Sequence, residues 1–261
     1  MQMGDPSVET QELRPDVHLA VARHVRPMAE KRQCSFALML NPGGLRATTF
    51  VSHYWGEDFG TFVASLEAAL PPEEALWLAA FSLRRPPMET SLATPCVFAT
   101  PVPCTRWKSE TGELDSASAV LRRSAFTIAL GYAQRLLVVA DGRLESPCRS
   151  WCIYELLAAR RMGLPVLVWP SQPGLLQGLE QRMKTFRLQD ATASLEADTQ
   201  LLREALDPRG EFVGARRLDE LRGFWAGWCR LCEDSGADGG GDPDGPDEAA
   251  ARLRRLHLRE E

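Results

Sequence analysis

Arg135-Leu-Leu-Val-Val-Ala-Asp141, followed closely by Ser146-Pro-Cys-Arg-Ser-Trp-Cys-Ile-Tyr-Glu-Leu156, decides how this chain is read. The first run is apolar without alternation, the pattern of a strand buried on both faces. The second opens a helix. On a wheel of about 100° per residue, Glu155 falls between Trp151, Met162, Ala159 and Cys152, while Arg160 and Arg161 point away. A carboxylate inside an apolar arc is costly unless something pairs with it or uses it. Glu155 is therefore the leading functional candidate. The competing reading is a structural glutamate satisfied by a loop N–H or by Arg149.

Working outward, the same strand-then-helix grammar repeats. Ala47-Thr-Thr-Phe-Val-Ser52 reads as a strand, His53 to Asp58 as a loop and Phe59 to Leu70 as a helix ended by Pro71-Pro72. Ala75 to Leu83 reads as a second buried strand, and proline-rich residues 84–112 as a long loop. A helix is expected over 114–132, a strand over 164–169, a short helix over 175–184 and a fifth strand over 185–189. Amphipathic helices follow at 195–206 and 216–233.

These elements imply an α/β fold: a five-stranded parallel sheet with helices on both faces, plus extra C-terminal helices. The expected organisation is a helical or partly ordered leader (1–45), an α/β domain (46–193) and a helical extension (194–234). A flexible Gly/Asp-rich linker (235–247) and a short charged helix (248–261) complete it. Ligands of such sheets bind beyond the carboxyl ends of the strands, where loop 52–58 and the start of the 150–162 helix both lie.

Composition narrows the classes. The chain has 261 residues, 44% hydrophobic and 25% charged, with a formal net charge of -5. A pI near 5.5 argues against a general nucleic-acid binder. No apolar run approaches a membrane span, and no signal segment is read after Met1, so a cytoplasmic chain without membrane partners is expected. Seven cysteines at irregular spacing read as mostly reduced thiols. A zinc site built from Cys148, Cys152 and Cys229-Arg-Leu-Cys232 is disfavoured, because the CxxC sits inside an amphipathic helix where buried thiols suffice. No metal ligands are assigned.

Phe50-Val-Ser-His-Tyr-Trp-Gly-Glu-Asp58 and Trp151-Cys-Ile-Tyr-Glu-Leu156, in this order and separated by strand–helix units, resemble the Toll/interleukin receptor (TIR) domain family over roughly residues 46–190. The resemblance implies a flavodoxin-like five-stranded sheet. Some TIR domains cleave NAD to nicotinamide and an ADP-ribose product, and their catalytic glutamate lies in the Trp-Cys-x-x-Glu box, here Glu155. Residues leaving the first strand shape the nucleotide site, here Ser52, His53, Tyr54, Trp55 and Asp58, with Trp151 as an apolar wall. NAD would be a substrate, and no cofactor is implied. Other TIR domains are non-catalytic modules that work by self-association or by contact with further TIR-like domains. The long proline-rich loop and the helices after residue 190 depart from the family pattern.

Each candidate keeps a plainer reading. Trp151 suits a core, His53 suits a satisfied loop position, and Ser52 or Asp58 suits a cap at a helix start. An open cleft joining 52–58 to Glu155 would favour chemistry; a plugged one would favour scaffolding.

Overall fold

Leu136, Val138 and Ala140 pack into one hydrophobic cluster and Leu137 and Val139 into another, so the unalternating run is a strand with apolar matter on both sides. The computed structural model describes residues 14–83, 116–171, 175–207 and 211–234. The expected loop at 84–112, linker at 235–247 and terminal helix at 248–261 lie outside them.

Four strands form one sheet among the described residues: β1 (Thr49–Ser52), β2 (Leu76–Trp77), β3 (Arg135–Ala140) and β4 (Val166–Pro170). Their order is β2-β1-β3-β4, and every pairing is parallel. Ser52 pairs with Val138, which aligns the carboxyl ends of β1 and β3. The opposite end is stapled by polar groups. Thr48 and Thr49 both donate to Glu74 Oε1 at 2.6 Å, and Arg135 pairs with Glu74 Oε2 at 3.0 Å. Burial opposes ionisation of Glu74, but these partners outweigh it and hold its carboxyl below the usual value.

One face is covered by the N-terminal helical run α1 (Val17–Ala20), a π-helical turn (Val21–Val25) and α2 (Arg26–Arg32). The short α3 (Phe36–Leu40) follows, and α4 (Phe59–Ala69) and α5 (Ala79–Ser82) complete this layer. Val17, Val21 and Val25 meet Phe62, Val51 and Val139 there. The other face carries α6 (Ser116–Arg122), α7 (Ala125–Tyr132), α8 (Ser150–Arg161), α9 (Leu175–Thr185), α10 (Glu196–Leu206) and α11 (Glu211–Asp234). Leu202, Leu206, Trp225 and Trp228 of the last two helices share a core with Phe50 and Leu136. The extension therefore completes the hydrophobic core, and the N-terminal run is likewise an integral layer.

Several elements differ from expectation. The run 75–83 is a strand for only Leu76–Trp77; α5 takes over at Ala79, because an apolar run of this length suits a buried strand or a buried helix equally. The expected 114–132 helix breaks before Ser124, whose hydroxyl accepts from Thr127 N and caps α7. No fifth strand forms at 185–189. A 3₁₀ turn (Leu188–Asp190) stands there instead, closed by the Arg187–Asp190 ion pair at 2.9 Å. Gly163 ends α8 region with φ +68, the left-handed conformation that favours glycine. No described helix is long and apolar enough to cross a membrane.

Candidate functional site

β1 delivers two kinds of side chain to its end. Ser52 continues the face on which Phe50 packs, toward α8, while His53 turns to the face of Phe62 and stacks on it at 4.2 Å between ring centroids. Trp55 follows in the loop, with its ring 6.1 Å from His53 and 5.3 Å from His18. The loop is held by the chain entering α1: Val17 N donates to Glu57 O at 3.1 Å and His18 N to Trp55 O at 3.0 Å.

α8 supplies the facing wall. Every residue from Ser150 to Ala159 is buried. Cys152 Sγ donates to His53 O at 3.6 Å, fixing the helix against the end of β1. Trp151 stacks on Phe126 at 4.3 Å and donates its indole N–H to Asp198 Oδ2 at 3.2 Å. Glu155 is 5% exposed, and burial pushes its carboxyl up to about 8. The nearby Ser52 hydroxyl partly opposes that rise, although Ser52 Oγ stands outside hydrogen-bond geometry and has no partner. Burial also raises the Cys152 thiol, and the Glu155 charge adds to the effect.

His53, Tyr54, Trp55, Trp151 and Glu155 line one cleft of about 50 Å³, well below the roughly 300 Å³ or more of a typical small-molecule site. Of the other expected site residues, Ser52 sits behind the wall beside Glu155, and Asp58 is absent from the lining. Asp58 is the N-cap of α4, accepting from Thr61 N and Thr61 Oγ1 at 2.8 Å. That cap satisfies one of the free N–H groups at the α4 N-terminus and places a carboxylate there. His53 is neutral: burial lowers its imidazole to about 3, with a smaller push from His18 and an opposing contribution from the Val51 backbone. Its Nε2 is buried and lacks a partner.

Arg149 does not satisfy Glu155. Its Nη1 donates to Thr192 Oγ1 at 2.8 Å, and its guanidinium lies 5.5 Å from the centre of the Tyr54 ring. Arg149, Phe126 and the Thr192–Ser194 segment complete the cleft, and none was singled out as site-forming from sequence. Phe126 and Thr192 belong to a helix and a loop whose approach to α8 is set by tertiary packing. Glu57 also escaped notice. It is 6% exposed, and burial, with the Asp141 charge second, raises it to about 7; the nearby Ser171 hydroxyl partly opposes that rise, although it stands outside hydrogen-bond geometry with either carboxylate oxygen.

Cys148 and Cys152 are buried free thiols, and Cys229 is buried. No cluster of three or more His, Cys, Asp or Glu among the described residues is arranged to hold a metal. Comparison of the chain with protein-family models, with curated proteins and with solved structures gave no match.

Proposed function

We propose that this is a TIR-like domain with a flavodoxin-like sheet that hydrolyses NAD, or processes a related nucleotide, in signalling. The observation that carries the proposal is the cleft itself, which joins His53, Tyr54 and Trp55 to Glu155 at the carboxyl ends of parallel strands.

The chemistry follows from the walls. Breaking the bond between ribose C1′ and the nicotinamide nitrogen leaves the electron pair on nicotinamide and builds positive charge on the sugar. The ionised Glu155 carboxylate stabilises that oxocarbenium-like charge. Water then adds to C1′ and releases a proton, giving ADP-ribose and free nicotinamide. Trp55, Phe126 and Trp151 offer aromatic surface for a pyridinium ring, whose cation is attracted by ring faces. Low-dielectric surroundings strengthen the carboxylate's effect, and the same burial that raises its pKa makes its charge potent once formed.

The test is incubation of the purified chain with NAD and detection of free nicotinamide. Release that Glu155→Gln lowers by roughly a hundred- to thousand-fold supports a catalytic carboxylate. Absence of release at high protein concentration, together with self-association, would favour the non-catalytic interaction module instead.

A further inference from the structure

We infer that Arg149 is the anion-recognising residue of the cleft and makes it selective for phosphate-bearing nucleotides over nucleosides. This rests on the nucleotide reading of the cleft and adds the element of substrate it grips.

A pyrophosphate brings negative charge to a wall that already holds Glu155, on a chain of net charge -5. Such a ligand needs a cation at the wall, and Arg149 stands there half-buried at the N-terminus of the 12-residue helix α8. Its guanidinium carries five N–H donors, of which Thr192 Oγ1 takes one among the described residues. No carboxylate pairs with it in that set. Arg149 is also held ready: Ser150 N donates to Thr192 O at 3.0 Å, so the residue bearing the Thr192 hydroxyl is itself fixed, and the Tyr54 ring lies beneath the guanidinium. A planar fork held on two sides offers its remaining donors to phosphate oxygens in paired geometry. The α8 N-terminus beside it has no side-chain cap, so its dipole adds to the same positive end.

Equilibrium binding tests this without requiring turnover. Calorimetric titrations of the full chain would use ADP-ribose, AMP and adenosine, with Arg149→Gln and Arg149→Lys compared with wild type. Wild type is expected to bind ADP-ribose about 10- to 100-fold more tightly than Arg149→Gln, the loss typical of a hydrogen bond to a charged group. Adenosine affinity should change by less than about 2-fold, and Arg149→Lys should recover part of the difference because it keeps charge without the fork. The AMP arm separates a single phosphate from a pyrophosphate. Equal ADP-ribose affinity across the three proteins, or equal losses for ADP-ribose and adenosine, would overturn the assignment. A chain that binds ADP-ribose through Arg149 yet releases no nicotinamide from NAD would sink the hydrolase reading and support the anion site. A chain that releases nicotinamide with a KM untouched by Arg149→Gln would do the reverse.

Discussion

Trp151 donates its indole N–H to Asp198 Oδ2 at 3.2 Å, and Asp198 is 1% exposed. This bond ties the cleft wall on α8 to α10, so the helical extension helps set the position of a cleft residue. Removing the acceptor leaves a buried donor unsatisfied and a void beside the ring. Asp198→Ala should therefore destabilise the fold by about 1–3 kcal/mol. Asp198→Asn keeps an acceptor oxygen and should cost less. Urea unfolding monitored by circular dichroism measures both, and equal losses for the two variants would show that the hydrogen bond is not what matters there.

Glu155 makes both activity and stability depend on pH. Its carboxyl is raised from 4.5 to about 8 by burial, so the fold favours the neutral form. The unfolded chain releases this proton near 4.5, and between these values the folded state binds more protons. The Glu155 contribution to stability therefore falls as pH rises across that window. Catalysis needs the opposite form, so kcat/KM for NAD should rise with pH through about 8. In kcat the pKa should lie lower, because a bound pyridinium cation favours the carboxylate. Glu155→Gln should lower the activity by the same roughly hundred- to thousand-fold and flatten part of the stability profile. A wild-type rate that falls over pH 6 to 9 would rule out an ionised Glu155 as the working form.

The parts of this architecture written in local pattern are readable from sequence. β3 is an unbroken apolar run, and Gly163 marks the end of the α8 region. The approach of residues 53–55 to Glu155 follows from parallel neighbours: β1 and β3 run side by side, so the loops leaving both emerge at one rim. What sequence hides is decided by tertiary partners. Ala79-Ala-Phe-Ser82 is apolar enough for strand or helix, and packing beside the π-turn makes it helical. Arg149 is one surface arginine among many until Thr192 and Tyr54 orient it. The amphipathic stripes of α10 and α11 disclose buried faces but not that these faces finish the main core.

Glu57 offers a cleaner electrostatic test than Glu155, because it lies outside the cleft lining. Burial and the Asp141 charge raise it from 4.5 to about 7, partly opposed by the nearby Ser171 hydroxyl. The folded state again holds a proton that the unfolded chain releases, so its contribution to stability declines as pH rises from about 4.5 to 7. Above that window the fold carries a buried charge. Glu57→Gln should thus be more stable than wild type at pH 8 and close to it at pH 5. Thermal melts at the two pH values check this, and a variant destabilised equally at both would show that Glu57 serves as a charged structural anchor.

Trp225 decides whether the last helix belongs to the fold. It is 1% exposed and makes edge-on contacts with Phe224 at 5.1 Å and Trp228 at 6.2 Å. It belongs to the same hydrophobic cluster as Leu136 and Leu156, which lie on the central strand and on the helix bearing Glu155. Truncation to alanine removes a large buried ring from a close-packed region and should cost about 3–5 kcal/mol. Trp225 Nε1 is buried without a partner, so the native ring already carries an unmet donor. Trp225→Phe deletes that donor along with part of the ring volume, and its loss should be well below that of alanine. Because the cluster is continuous from α11 to the sheet, unfolding should stay a single transition in both variants, with circular dichroism and Trp fluorescence coincident. A Trp225→Ala protein that keeps wild-type stability, or that melts in two steps with the sheet unaffected, would make α11 an independent appendage.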